Sequence, residues 1–180
     1  MHSIEILENF ISEDDCKKAI KVISDLVVED PSVLDKSIVA DQGSRYVYTK
    51  PSSTDAIEFV KKYSQKALEF IGEDYVVHDC IFVRMDPGST VAVHNDFEYE
   101  ADCSSCEYAA VYYLDNEYTG GEIFFPDLGF EMRPDTGTFA YFSQKGGANL
   151  HGVNELTSGV RHMVNLCFTK NKEKFDSMYR

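Results

Sequence analysis

Two side chains that can bind a metal stand one residue apart in the segment VAVHNDF. They are His94 and Asp96, at the end of a run whose apolar composition is typical of a strand. In an extended chain, residues i and i+2 project to the same side, so both side chains can reach one ion while Asn95 faces away. An isolated pair of this kind is more often only a polar strand end. A metal site therefore requires a third ligand from elsewhere in the chain.

Four other histidines are available as that ligand: His2, His78, His151 and His162. His151 is the best candidate because it follows a glycine-rich turn and one apolar residue in GGANLHGV. Two histidines and one carboxylate form the facial triad of non-haem Fe(II) oxygenases, which leaves up to three neighbouring coordination positions open.

Arg161 follows His151 by ten residues, in the strand-like segment GVRHMVNLCF. Taken alone, such an arginine is more often a surface or salt-bridge residue. A buried arginine needs an anion, and its planar guanidinium suits a carboxylate. Alternation along the strand places Met163, Asn165 and Cys167 on the same face as Arg161, and this face is predicted to line a pocket.

Two helices are predicted in the first 75 residues. The first begins after Ser12 with an acidic turn, and the second begins near Thr54 and Asp55 and ends at Gly72. The apolar residues of the first recur at helical spacing; they are Cys16, Ala19, Ile20, Ile23 and Val27. Residues 36–51 are predicted to form a loop that contains a short strand at 45–48.

After Gly72, short apolar runs alternate with turn signals, which indicates strands. The predicted strands are 76–85, 91–94, 108–114, 122–125, 129–132, 138–142 and 160–169. Strands at this spacing are typical of a sandwich, a barrel or a jelly roll. The fold class is therefore mainly β with N-terminal helices, a jelly-roll core flanked by two or more helices.

Length and composition restrict the function further. The chain of 180 residues is predicted to be one domain, with 1–75 as a helical and substrate-loop region and 76–170 as the jelly-roll core. A net charge of −14 disfavours general nucleic-acid binding. No apolar run is long enough to span a membrane, and the N-terminus lacks the pattern of a signal peptide, so a cytoplasmic location is expected.

The five cysteines are odd in number and irregularly spaced, which disfavours a disulfide framework. Cys103 and Cys106 form a lone C-x-x-C pair, which is half of the four ligands of a structural zinc site. We interpret this pair as part of a loop at the pocket rim whose thiols can oxidise near an iron.

Five segments, in this order, resemble the 2-oxoglutarate- and Fe(II)-dependent dioxygenases, in particular the branch similar to prolyl 4-hydroxylases. The segments are IEILENFISEDDCKKAI, VRMDPGSTVAVHNDF, AAVYYLDNEYTGGEIFFP, MRPDTGTFAYF and NLHGVNELTSGVRHMV. Together they cover most of the chain. The sequence departs from the family at Met85, where a tyrosine is common, and near Cys167, where a tryptophan is common.

The resemblance implies a double-stranded β-helix, or jelly roll, with Fe(II) held by His94, Asp96 and His151. It implies that 2-oxoglutarate chelates the iron and that its distal carboxylate pairs with Arg161. It also implies that Tyr113 donates to that carboxylate, and alternation allows only one of the adjacent Tyr112 and Tyr113 to face inward.

The resemblance further implies the reaction and its participants. Dioxygen is consumed, succinate and CO2 are co-products, ascorbate is an optional reductant, and a C–H bond is hydroxylated. The implied substrate is a prolyl residue of a peptide or protein, with a free amino acid or other small molecule as the alternative. Arg84 and Arg45 are the substrate-contact candidates, Arg45 because ADQGSRYVYTK resembles a mobile loop over the substrate.

Two other functional classes fit the sequence less well. Nucleic-acid demethylases of the same superfamily carry a second arginine six residues after the first, a place that Cys167 occupies here, so no nucleic-acid partner is expected. A cupin-like binding protein without catalysis has no need of open metal positions, which the residue set provides. No membrane partner is expected, and a monomer is the default.

Overall fold

The computed structural model describes residues 4–29, 47–49, 51–96 and 106–172. Its first helix, α1, is Glu13–Glu29, and its second, α2, is Thr54–Ile71. Ser12 and Ser53 cap them: the Ser12 hydroxyl accepts from the Asp15 N–H at 3.3 Å and the Ser53 hydroxyl from the Ala56 N–H at 3.2 Å. Neither helix is long and apolar enough to cross a membrane, and the described residues contain no other candidate span.

The strands are short apart from two long ones at the centre of the main sheet. They are β1 Ile4–Leu7, β2 Val47–Thr49, β3 Val76–Met85, β4 Val91–His94, β5 Tyr108–Tyr113, β6 Tyr118–Gly120, β7 Ile123–Phe125, β8 Phe130–Met132, β9 Phe139–Ser143, β10 His151–Val153, β11 Leu156–Gly159 and β12 Arg161–Thr169.

Two antiparallel sheets face each other. The larger has six strands in the order β1-β9-β5-β12-β3-β2, the smaller has four in the order β4-β10-β7-β8, and β11 pairs with β6 beside them. From β3 to β12 the chain passes repeatedly between the two sheets, which is the winding of a double-stranded β-helix. The prediction of a mainly β chain with a jelly-roll core is confirmed.

The six-stranded sheet separates two apolar clusters. The helices cover one face, where Phe10, Phe59 and Tyr63 pack against Tyr112. The other face points into the jelly roll and carries residues such as Tyr113. Because neighbouring strand residues alternate, Tyr112 belongs to the helix side and Tyr113 to the interior.

One disulfide joins the start of β5 to β12. Cys106 and Cys167 have Cα atoms 5.3 Å apart and lie 61 positions apart in the sequence. The sequence disfavoured a disulfide framework but did not indicate this single pair, because irregular spacing carries no information about contacts between distant strands. Cys16 and Cys80 are buried and are not part of this disulfide, and Cys103 lies outside the described residues.

Candidate metal and acid-binding site

The structure brings His94, Asp96 and His151 together. Strands β10 and β4 are antiparallel neighbours with His151 directly opposite His94. One potential ligand atom from each of the three residues lies within 4.8 Å of the others. His94 Nε2 is 3.2 Å from one Asp96 carboxylate oxygen, and His151 Nε2 is 3.8 Å from the other. An ion about 2 Å from each ligand atom fits this group after small side-chain movements.

Backbone carbonyls orient both imidazoles. His94 Nδ1 lies 2.9 Å from the Ala92 carbonyl oxygen, and His151 Nδ1 lies 3.1 Å from that of Asn149. A carbonyl can only accept a hydrogen bond, so each Nδ1 carries the proton, and in the neutral ring each Nε2 keeps its lone pair for a metal. The Asp96 N–H donates to Gln144 Oε1 at 3.1 Å, which fixes the backbone of the third ligand.

The charges of the three groups suit cation binding. Burial lowers the pKa of His151, with a further contribution from His94 and an opposing one from Asp96. Burial alone would raise the pKa of Asp96, but the charges of His151 and His94 outweigh it and lower this pKa. Burial opposes protonation of His94, whose pKa is nevertheless raised by its hydrogen bond to Asp96. An ionised carboxylate beside a neutral His151 is the protonation state that a metal requires.

Gly152 allows the two strands to meet at the ligand. A Cβ atom at this position would lie 2.8 Å from the Phe124 ring and 2.9 Å from the Val91 carbonyl oxygen. Phe142 and Phe125 pack their rings 4.9 Å and 5.8 Å from the His151 ring. Close packing around His151 thus favours glycine as the residue that follows it.

A cavity between the two sheets reaches the three ligands. All four residues predicted for the inward face of β12 line it: Arg161, Met163, Asn165 and Cys167. Tyr113 lines it as well. Asp79 and the disulfide-bonded Cys167 also line it and lie opposite each other on β3 and β12. Cys167 is three alternate residues along β12 from Arg161.

Arg161 is a buried cation in need of an anion. It is 1% exposed, and its Nη1 donates to the Met85 sulfur at 3.3 Å. Its Nε and Nη2 atoms have no hydrogen-bond partner among the described residues. No carboxylate among the described residues forms an ion pair with it. An uncompensated buried charge is costly, so this end of the cavity is suited to a carboxylate.

Two tyrosine rings flank the guanidinium of Arg161. The centroid of the Tyr113 ring is 5.4 Å from its central carbon and that of the Tyr118 ring is 5.9 Å away. Both hydroxyls are buried without a hydrogen-bond partner among the described residues. Sequence reasoning identified Tyr113 but missed Tyr118, whose only signal is its place directly before the Thr-Gly-Gly-Glu turn.

The structure does not bring Arg84 to the cavity. Arg84 is opposite His162 on the outer face of the sheet, because alternation turns Val83 and Met85 inward instead. Its guanidinium pairs with Asp86 at 2.7 Å. Arg45 and His2 lie outside the described residues. His162 is also remote from the ligand group and pairs through Nδ1 with Asp115 at 2.5 Å.

Comparison with known proteins gives a consistent result. No family model matches the chain. A "2-oxoglutarate and iron-dependent oxygenase domain-containing protein 3" from Xenopus tropicalis is 28% identical over 101 residues, 51% of this chain and 32% of that protein. The match thus spans about a third of the length of this curated relative.

Solved structures resemble the chain over nearly its whole length. A viral collagen prolyl hydroxylase from Paramecium Bursaria Chlorella virus-1, in its 2OG complex, has a TM-score of 0.67 at 20% identity over 92% of this chain and 94% of that one. The chain has the fold of the 2-oxoglutarate- and iron-dependent oxygenases. The resemblance noted from the sequence is confirmed.

Two further solved structures share this fold. A Trichoplax adhaerens prolyl hydroxylase, in complex with a hypoxia inducible factor peptide fragment, has a TM-score of 0.72 at 14% identity, covering 95% of this chain and 85% of that one. HygX from Streptomyces hygroscopicus, with nickel and 2-oxoglutarate bound, has a TM-score of 0.68 at 12% identity, covering 95% and 84%.

Proposed function

We propose that the chain is an Fe(II)- and 2-oxoglutarate-dependent dioxygenase that hydroxylates an unactivated C–H bond. One observation carries this proposal. A two-histidine, one-carboxylate group lines the same cavity as a buried arginine that has no counter-ion in the described part of the chain. The first is the donor set of non-haem iron oxygenases, and the second suits the distal carboxylate of 2-oxoglutarate.

His94, Asp96 and His151 are the proposed iron ligands. Bound iron supplies the oxidative chemistry, in which decarboxylation of 2-oxoglutarate to succinate and CO2 is coupled to hydroxylation of the substrate, with ascorbate as an optional reductant. The Ala92 and Asn149 carbonyls keep both histidine Nε2 atoms directed at the ion. No protein nucleophile or general base is required.

Arg161 and Tyr113 are the proposed cosubstrate ligands. The Arg161 Nε–H and Nη2–H groups and the Tyr113 hydroxyl donate to the distal carboxylate, which satisfies three buried donors at once. Val83, Val111 and Met163 give the cavity wall an apolar character that restricts water. The chain thereby positions the cosubstrate for the metal.

The proposed substrate is a prolyl residue of a peptide or protein. Two of the structural neighbours described above are prolyl hydroxylases, and one of them is in complex with a peptide. The alternative substrate, a free amino acid or other small molecule, would use the same iron and cosubstrate residues. Experiment separates it from the prolyl substrate. We also propose that residues 1–180 act as one monomeric catalytic domain, with 1–75 as support and 76–170 as the core.

A cytoplasmic location stays a prediction from the sequence. Disulfides are more common in oxidising compartments, and Cys106 and Cys167 form one.

A turnover screen tests the proposed function. The purified chain is incubated with Fe(II), ascorbate, 2-oxoglutarate and either proline-containing peptides, free amino acids or nucleic acids, followed by product mass spectrometry. We expect succinate and a peptide whose proline has gained one oxygen atom. Oxidation confined to free amino acids or to nucleic acids contradicts the prolyl assignment, whereas the absence of metal-dependent succinate in every arm contradicts the enzyme assignment.

A further inference from the structure

Tyr118 shares the surroundings of Arg161 without a role in the proposed chemistry. It is 4% exposed, compared with 0% for Tyr113 and 1% for Arg161. The Tyr118 hydroxyl is completely buried, and its proton has no acceptor among the described residues. A buried hydroxyl that stays unsatisfied costs about 1–3 kcal/mol, so an unpaired Tyr118 requires an explanation.

The chain fixes the Tyr118 ring beside Arg161. In the pairing of β6 with β11, Tyr118 lies opposite Gly159, and the Tyr118 carbonyl accepts from Arg133 Nη1 at 3.0 Å. A Cβ at Gly121 would lie 3.6 Å from both the Tyr118 ring and the Arg161 Cδ and 2.9 Å from a Leu156 methyl carbon. Gly121 thus lies in contact with both the Tyr118 ring and the arginine stem, and its left-handed backbone and the nearby Leu156 methyl group favour glycine there.

Arg161 cannot satisfy the tyrosine. A guanidinium has only donors, and the Tyr118 proton needs an acceptor. Burial raises the pKa of Tyr118, and raises the pKa of Tyr113 too, although Arg161 opposes both shifts. Both hydroxyls therefore keep their protons at neutral pH. Among the residues that the structure describes, the group around Arg161 consists of one cation and two neutral donors and contains no anionic acceptor.

We propose that Tyr118 is a further cosubstrate-binding residue, whose hydroxyl donates to the same carboxylate that Arg161 and Tyr113 bind. Two tyrosines and one arginine then recognise the second acid group of the ligand. This inference rests on the proposed function, because it takes 2-oxoglutarate as the ligand. It assigns a ligand role to a residue whose position in the sequence suggested only a turn.

The test compares two ligands on two variants. Binding is measured by calorimetry with Ni(II) in place of iron, so that no turnover occurs. The ligands are 2-oxoglutarate and 2-oxopentanoate, which has the same chain length and the same metal-binding 2-oxo acid but no second carboxylate. The variants are Tyr118→Phe and, as the matched control, Tyr112→Phe, whose hydroxyl donates to the Tyr63 carbonyl at 3.0 Å on the other side of the sheet.

We expect Tyr118→Phe to weaken 2-oxoglutarate binding by about tenfold or more, the range for one hydrogen bond to a charged group. Its affinity for 2-oxopentanoate should stay within about twofold of the wild type. Tyr112→Phe should lower thermal stability without changing the ratio of the two affinities. This ratio reports on the second carboxylate alone and is insensitive to a general loss of packing.

Three results lead to different conclusions. Equal affinity of Tyr118→Phe and the wild type for 2-oxoglutarate overturns the role of Tyr118. Equal weakening of both ligands also overturns it, because Tyr118 then acts only through the fold. Failure of the wild type to bind 2-oxoglutarate at all contradicts the proposed function itself, and is distinguishable from the first two results.

Discussion

At the scale of single residues, Arg161 decides what the cavity can hold. The side chain is nearly inaccessible, yet two of its nitrogen atoms have no partner among the described residues. A protein does not bury a guanidinium in this way without compensation from a ligand or a neighbouring anion. The sequence showed its strand and its face, but only the structure shows the unpaired donors and the second tyrosine.

Replacing Arg161 separates its charge from its geometry. Arg161→Lys keeps the positive charge but loses the planar, two-donor contact with a carboxylate. We expect 2-oxoglutarate affinity in the Ni(II) complex to fall by about tenfold to a hundredfold, measured by calorimetry. An Arg161→Lys variant that binds as tightly as the wild type contradicts a bidentate contact.

Asp15 provides a pH-dependent contact between the helices. Its carboxylate accepts from Lys62 Nζ and from the Tyr63 hydroxyl, each at 2.7 Å, and the Lys62 and Tyr63 bonds hold the pKa of Asp15 far below its ordinary value. A lowered folded-state pKa stabilises the protein above the unfolded pKa, near 4, and this stabilisation is lost as the pH falls further.

The stability of Asp15→Asn tests that contact. We expect the variant to be less stable than the wild type by about 1–2 kcal/mol at pH 7, and the difference to shrink progressively below about pH 4. Urea denaturation across this pH range provides the measurement. Asp25→Asn, which removes an exposed pair with Lys21 in the same helix, is the control and should have little effect. A difference that does not depend on pH argues against the ionised contact.

At the scale of elements, the strands that carry the ligands depend on close backbone contact. The long strands were predictable to within about a residue, because apolar runs between turn signals define them. Strands β6, β10 and β11 were not predicted. They are three or four residues long and contain Gly120, Gly152 and Gly159, so their pairing depends on contacts that no local pattern encodes.

Gly152 tests whether the metal ligands depend on that contact. Gly152→Ala places a methyl group against the Phe124 ring and the Val91 carbonyl, and overpacking of this kind costs about 1–3 kcal/mol. We expect lower thermal stability together with weaker Ni(II) binding in calorimetry.

Gly129→Asn is the control for Gly152→Ala. Gly129 has a left-handed backbone with open space around it, a conformation that asparagine tolerates, so this variant should bind the metal normally. Unchanged Ni(II) affinity in Gly152→Ala indicates that the two strands do not need this close approach.

At the scale of the whole molecule, the disulfide connects parts of the chain that are far apart in sequence. Closing a loop of about 60 residues stabilises a protein by about 4 kcal/mol in the chain-entropy model. The sequence could not indicate this pairing, because it depends on which strands become neighbours, whereas alternation alone placed Tyr112 and Tyr113 on opposite faces. The jelly-roll winding could be predicted from the sequence because the five segments that resemble the family occur in a fixed order.

Reduction tests the contribution of the Cys106–Cys167 disulfide. We expect dithiothreitol to lower the melting temperature of the wild-type chain and to leave that of the Cys106→Ala, Cys167→Ala double variant unchanged. The double variant without reductant should resemble the reduced wild type. A wild-type melting temperature that is insensitive to a reductant strong enough to open the bond argues against this stabilisation.

The most direct test of the whole account is succinate formation from 2-oxoglutarate by the purified chain, measured by mass spectrometry with and without Fe(II). We predict succinate formation that requires Fe(II) and is abolished by Asp96→Ala, with the variant still folded as judged by circular dichroism. Turnover that is unchanged in Asp96→Ala, or independent of iron, contradicts the assignment of His94, Asp96 and His151 as the metal centre of an oxygenase.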